Sequence, residues 1–317
     1  VRVLSANGRR VRVLARRSAR LDLLRDVRGV EIAYGDITDP AALPPALAGV
    51  DTVYHCAARV TLARRMTAEV WRANVGAVED LLAAARHAGV RRVVHCSSVD
   101  ALGLPAAGKW SDEETPWNWD RLGLDNAYAR SKYQAQQRAL AAAQAGQDVV
   151  VVCPTYMFGA FDQRPSSGQM ILSAARSPFR LGLPGGNNFV DVLDVAEGML
   201  AAAQSAPSGR VYILGNANWS YDTVFACIAD VLGKRAPRLP LPYGLALGLG
   251  QAGDLYERLS GREALISSAT ARLGFTRHYY NPARAESELG LARRPVEDAI
   301  RRAVDWFRQT GRLPQLR

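Results

Sequence analysis

The sequence predicts an α/β fold, a doubly wound parallel sheet with a smaller C-terminal lobe. Short β-branched segments near 11–14, 30–34, 51–55, 92–96 and 148–153 alternate with helical stretches, the rhythm of a parallel sheet with crossover helices. Val93–Cys96 reads as a buried strand, and Ser97 and Ser98 follow it, at the sheet end where open parallel sheets bind ligands. Beyond about residue 160 the rhythm becomes irregular, and segments 165–190 and 217–290 are assigned to the second lobe.

The elements follow in order. Val1–Gly8 reads as the last two turns of a helix with Gly8 as its stop, and Val11–Leu14 as the strand after it. Asp39-Pro40 reads as an N-cap followed by a first-turn proline. Residues 67–87 and 126–145 read as long helices. The apolar stretch 239–250 is too short and glycine-rich to span a bilayer. It reads as a buried hairpin or a lid over the substrate, with shallow contact to a membrane surface as the less favoured reading.

Composition narrows the partners. At 317 residues and 48% hydrophobic, the chain can bury a full core. The net charge of +10 comes from arginine spread through helices and strands, with no basic run interleaved with aromatics. No nucleic-acid partner is expected. The four cysteines, Cys56, Cys96, Cys153 and Cys227, have no Cys-x-x-Cys spacing. Three fall in expected inner strands and read as small buried hydrophobes, which fits a reducing cytoplasm. The four histidines form no metal pattern, and no metal site is expected.

Against this arginine background only three lysines occur, Lys109, Lys132 and Lys234. Lys132 ends the pattern Tyr128-Ala-Arg-Ser-Lys132. Chance supplies about 0.1 Tyr-x-x-x-Lys pairs in a chain of this composition. In a helix, positions i and i+4 share a face. An ammonium beside the phenol is expected to lower its pKa, and lysine's compact charge suits this better than arginine's planar fork. A tyrosine tuned this way can exchange a proton with a substrate oxygen.

Ser97-Ser98 followed by Tyr128-x-x-x-Lys132 resembles the extended short-chain dehydrogenase/reductase (NAD-dependent epimerase/dehydratase) family, in its dihydroflavonol-reductase-like and hopanoid-associated sugar epimerase branch. Gly35-Asp36-Ile37-Thr38-Asp39, Val53–Ala58, Ala73-Asn74-Val75, Cys153–Gly159, Phe189–Ala196, Asn281–Ala285 and Val304–Phe307 resemble further motifs of that family. The resemblance implies a Rossmann-type cofactor domain over 1–164, with return segments near 188–216, and a substrate lobe mainly over 165–317. It implies Ser98, Tyr128 and Lys132 as catalytic residues. It also implies cofactor contacts at Asp36, Ile37, Ala57, Ala58, Asn74, Ser97, Lys132 and Pro154. Asn74 is the weaker carry-over, because Ala77-Val78 replaces the family's Gly-Thr. Relatives pair through helices equivalent to 67–87 and 126–145, so a homodimer is expected.

One family feature is missing from the sequence. The family opens with a strand, a Gly-x-x-Gly-x-x-Gly loop and a helix whose N-terminus binds the pyrophosphate. No such loop occurs here. About 16 residues of the usual unit are expected to be absent, including a strand central to the sheet. The chain as given is therefore expected to bind cofactor poorly and to be unstable, with unsatisfied backbone where that strand would lie.

The strand at 11–14 ends Ala15-Arg16-Arg17-Ser18 without an acidic residue. An acid there would bind the ribose 2′-OH of NAD, whereas arginine accommodates the 2′-phosphate of NADP. Arg16 is the expected phosphate contact, and NADP(H) is favoured over NAD(H). The loop Trp110–Trp119 lies where relatives shape the substrate mouth. Trp117, Trp119 and Tyr156 are substrate-contact candidates beside Ser98, although the tryptophans are more readily anchors of the loop on the core. The expected activity is hydride transfer at a hydroxyl or carbonyl carbon of a nucleotide-sugar, a sterol- or terpenoid-like compound or a flavonoid-like compound. Ser98-Val99-Asp100 replaces the Thr-Asp-Glu of the 4,6-dehydratase relatives and argues against that chemistry. Three readings stay open: reductase or epimerase, a non-catalytic NADP(H)-binding redox sensor, or a non-functional truncated fragment.

Overall fold

A computed structural model of the chain describes residues 1–61, 63–106, 108–261 and 267–314. Helix α1 (Arg2–Ala6) ends as expected. Gly8 takes a left-handed φ of 70°, and the Arg9 N–H closes back onto the Leu4 carbonyl at 3.0 Å. Strands β1 (Val11–Ala15) and β2 (Val30–Tyr34) pair in parallel, Val11 beside Val30. Asp39 caps the turn before α2 (Leu43–Leu47), its carboxylate accepting from the Ala41 N–H at 3.0 Å.

The main sheet is parallel, in the order β3 (Thr52–His55), β4 (Arg92–Cys96), β5 (Val149–Pro154) and β9 (Val211–Leu214). Alternate residues of its strands face opposite cores. Val93, Val149, Val151 and Cys153 pack with α4 (Ala77–His87) and α5 (Ala127–Gln144). Val94, Val150 and Val152 pack with α7 (Val192–Ser205) on the other face. Burying each such valine contributes about 1.5–3 kcal/mol. This two-sided burial is why β5 is apolar throughout.

No hydrogen bonds link β1 to β3; the two belong to separate sheets among the described residues. Both edges line one large cavity.

The expected helix over 67–87 is not uniform. Thr67 caps α3 (Ala68–Trp71), a π-helical turn covers Arg72–Gly76, and α4 follows. Asn74 lies in that turn, and its amide clamps the Arg59 backbone. The expected helix over 126–145 forms as α5, with the Asn126 side chain accepting from the Ala129 N–H at 2.9 Å.

A second sheet is built around β8 (Gly186–Asp191), which pairs with β6 (Tyr156–Phe158), β10 (Ala217–Ser220) and β12 (Arg277–His278). Phe158 and Phe189 stack in a core closed by α8 (Tyr221–Leu232) and α12 (Val296–Gln309). Strand β7 (Arg180–Gly182) pairs in parallel with β11 (Arg238–Pro240). The stretch 239–250 is not a buried hairpin. It leads from β11 into helix α9 (Tyr243–Ser260), on which Leu245 and Leu249 are exposed. Among the described residues, no helix is long and apolar enough to cross a membrane.

Candidate active site

The cavity runs along β1 and β3 to the residues that follow β4 and β5, and measures about 2680 Å³. Arg16, Asp36, Ile37, Ala57 and Ala58 line it on one side, and Ser98, Tyr128, Pro154 and Tyr156 on the other. The Asp36 carboxylate accepts from the Thr38 N–H at 2.9 Å and the Thr38 hydroxyl at 2.8 Å. These bonds hold its pKa below the usual carboxylate value, with the Arg16 guanidinium adding to the effect. Arg17 is engaged elsewhere, its guanidinium over the Tyr34 ring.

Ser98 opens a short turn after β4, where its hydroxyl accepts from the Asp100 N–H at 3.2 Å. The Tyr128 phenol lines the same cavity. With a lone pair taken by the Asp100 N–H, the Ser98 proton is free to point into the cavity. The loop that follows folds tightly back: a Cβ on Gly103 would lie 1.9 Å from the Pro116 carbonyl oxygen. Only glycine fits there.

Lys132 lies one turn beyond Tyr128 on α5 and is 5% exposed. Its ammonium donates to the Cys96 carbonyl oxygen at 2.8 Å. The expected lowering of the Tyr128 pKa is overturned. Burial raises it first, then the negative charge at Asp100 and at Cys96, while the Ser98 hydroxyl offsets only part of the rise. The ammonium is turned to the end of β4, so it does not set the phenol's acidity here.

Several expected contacts lie outside the cavity wall. The Ser97 hydroxyl is buried and donates to the Gln136 side-chain oxygen at 2.7 Å. Asn74 is likewise buried. It accepts from the Arg59 N–H at 2.6 Å and donates to the Arg59 carbonyl and the Ser131 hydroxyl, both at 2.9 Å. Trp117 stacks on Tyr133 with ring centroids 4.8 Å apart and donates to the Asp100 carbonyl at 3.2 Å. Trp119 touches the cavity but is 2% exposed, with its indole N–H on the Leu102 carbonyl at 2.9 Å. Both indoles thus anchor the loop. Tyr156 lines the cavity, packs on Phe158 and Phe189, and donates to the Ser167 carbonyl at 3.2 Å.

The structure adds residues that the sequence reading did not assign to the site. Asp100 lines the cavity beside Tyr128, and burial raises its carboxyl to about 6 against the opposing pull of Lys132. Its place two residues after Ser98 was the available signal. His55 and His95 are paired across β3 and β4, their Nδ1 atoms 3.2 Å apart, and the Nε2 of each is buried without a partner. Burial holds both in the neutral form, His55 with its pKa lowered to about 3. Of the three cysteines expected as buried hydrophobes, only Cys153 is buried; Cys56 is exposed and Cys96 half-buried. The reason is that Cys56 faces the cavity. Among the described residues, no cluster of three metal-ligating side chains occurs.

The walls fit a nicotinamide dinucleotide at both ends. One end offers an arginine at a strand end, with a fixed carboxylate and small apolar residues. The other offers the hydroxyl pair of Ser98 and Tyr128. The sequence contains no Gly-x-x-Gly-x-x-Gly turn to cradle the diphosphate between them.

The chain matches one family model and resembles several known proteins. Residues 1–215 match the model of the "NAD dependent epimerase/dehydratase family". A Synechocystis sp. protein provisionally named as a dihydroflavonol 4-reductase is 33% identical, covering 98% of this chain and 91% of its own. "Sterol demethylase protein B" of Methylococcus capsulatus is 32% identical, covering 99% of this chain and 95% of its own. Among solved structures, that of gox2253 superposes with a TM-score of 0.86 at 33% identity, covering 98% of this chain and 94% of the other.

Proposed function

The chain belongs to the NAD dependent epimerase/dehydratase family, and from that premise we propose that Ser98, Tyr128 and Lys132 are the machinery of an NAD(P)-dependent oxidoreductase or epimerase. The family acts on small molecules, and the protein is an enzyme of this kind. A bound nicotinamide supplies or accepts the hydride. The chain's own residues handle the oxygen and its proton. Ser98 hydrogen-bonds the substrate oxygen, and Tyr128 gives that oxygen a proton in reduction or removes it in oxidation. A neutral phenol, which burial enforces, is the form needed to donate. Lys132 holds the end of β4, and with it Ser98, at a fixed distance from α5.

The observation that carries the reading is that Ser98 and Tyr128 line one cavity, with Lys132 bound to the strand end that leads to Ser98. The test is Tyr128→Phe: turnover should fall by about 10²–10⁴-fold while cofactor affinity is kept. Unchanged turnover would remove Tyr128 from the mechanism.

The finer reading extends what the sequence implies. Arg16 supports NADP(H) over NAD(H), because no carboxylate stands at the end of β1 to repel a 2′-phosphate. Residues 1–164 with the return near 188–216 form the cofactor domain, and 165–317 mainly the substrate lobe. The substrate is a small hydroxyl or carbonyl compound of the nucleotide-sugar, sterol- or terpenoid-like, or flavonoid-like class. The protein works in the cytoplasm as a homodimer paired through α4 and α5.

A further inference from the structure

Cys56 and Cys96 stand side by side at the ends of neighbouring parallel strands. Strands β3 and β4 pair from Thr52 with Arg92 to His55 with His95. The next residue on each strand is a cysteine, so both side chains leave on the same face. Adjacent strands run about 4.8 Å apart, within the roughly 4.4–6.8 Å that a disulfide spans between Cα atoms. Each thiol is the main influence on the other's acidity. Cys56 is exposed and lines the cavity; Cys96 is half-buried behind it, and both are free thiols.

The pair is also unequal. The neighbouring Cys56 thiol, helped by the Lys132 ammonium and opposed by burial, draws the Cys96 thiol down to about 7. Cys56 is pushed up, chiefly by its contact with Cys96. A thiolate beside a protonated thiol is the arrangement of an attacking and a resolving cysteine. The remaining cysteines lack it. Burial raises both Cys153, on β5, and Cys227, on α8, the latter to about 11.

We propose that Cys56 and Cys96 are an oxidisable dithiol that closes to a reversible disulfide in the wall of the active-site cavity when the protein meets a hydroperoxide. The Cys96 thiolate attacks the distal peroxide oxygen. The O–O bond breaks, Cys96 becomes a sulfenic acid, and the leaving hydroxide or alkoxide takes a proton. The Cys56 sulfur then attacks the sulfenic sulfur, the S–O bond breaks, and water leaves with the thiol proton. With hydrogen peroxide, two thiols and one peroxide give one disulfide and two waters. A bridge between directly adjacent parallel strands is strained, and strained disulfides are the readily reduced ones.

The disulfide would tie Cys56, next to the cavity-lining Ala57 and Ala58, to the residue whose carbonyl Lys132 grips. Loss of turnover on oxidation rests on the oxidoreductase reading; formation of the bond does not. The test therefore reads the bond itself. The reduced full chain is treated with a few equivalents of hydrogen peroxide, alkylated and digested with trypsin. The expected result is a species joining peptides 29–59 and 93–109, with two of the four thiols lost to alkylation and regained on adding dithiothreitol. Cys56→Ser should abolish that species and leave a Cys96 sulfenic acid that dimedone traps. Four thiols still alkylatable after peroxide, or oxidation of either cysteine to sulfinic acid with no joined peptide, overturns the proposal. If the bond forms and turnover is unaffected, the dithiol stands and the effect on activity fails.

Discussion

The Lys132 ammonium binds the carbonyl oxygen of Cys96 at 2.8 Å, tying the first turns of α5 to the last residue of β4. Ser98 lies two residues beyond that carbonyl and Tyr128 one helical turn before the lysine. One hydrogen bond thus sets how far apart the two hydroxyls stand.

Lys132→Met keeps the length and packing of the side chain but removes the donor. The Cys96 carbonyl then lacks its side-chain partner, which costs about 1–3 kcal/mol of stability. Urea denaturation should read that loss, together with weakened turnover. A variant as stable as the parent would mean that the contact does not hold the strand end.

Acid should act on the buried imidazoles. His55 has its pKa lowered to about 3 and His278 to about 4, chiefly by burial. A depressed histidine pKa means that the unfolded chain binds the proton first. Their contribution is complete above the unfolded value near 6.5 and is lost as pH falls below it, at roughly 2 kcal/mol each by pH 5.

Asp100, raised to about 6, works in the opposite direction. The folded state holds that proton more tightly, so stability is lost as pH rises from about 4 to 6. Asp100→Asn should therefore stabilise the protein at pH 7, by up to about 3 kcal/mol, and have little effect below pH 4. Urea midpoints across this range check both signs, and a flat profile for parent and variant would contradict them.

Arg16→Ala should weaken NADPH binding and leave NADH binding unchanged. A charged hydrogen bond to the 2′-phosphate contributes about 1.5–3 kcal/mol, or roughly ten- to a hundredfold in affinity. Fluorescence titration with each dinucleotide reads the difference. Equal weakening of both would assign Arg16 to a part the two cofactors share.

What was legible in the sequence was local. The strand segments announced themselves through β-branched runs, and Asn126, Asp39 and Gly8 marked helix ends because caps and stops act on neighbouring backbone. The parts that escaped depend on residues distant in the chain. The π-helical turn at Arg72–Gly76 holds Asn74, whose bonds reach Arg59 and Ser131. The direction of the Tyr128 shift is set by burial and by Asp100, neither of which lies in the Tyr-x-x-x-Lys pattern. Cys56 read as buried because its strand looked interior, yet it faces the cavity beside the gap between β1 and β3. Trp117 and Trp119 were ambiguous because an indole that anchors a loop and one that stacks on a substrate leave the same mark in a sequence.

The central claim is hydride transfer under the hands of Ser98 and Tyr128. The most direct test incubates the chain with NADPH deuterated at the nicotinamide C4 and a panel of ketones from the sterol, flavonoid and nucleotide-sugar classes. Mass spectrometry then follows the deuterium. The account predicts an alcohol carrying one deuterium on the former carbonyl carbon with the parent, and its loss with Tyr128→Phe at saturating cofactor. Equal deuterium transfer by both proteins, or none by the parent across the panel, would contradict it.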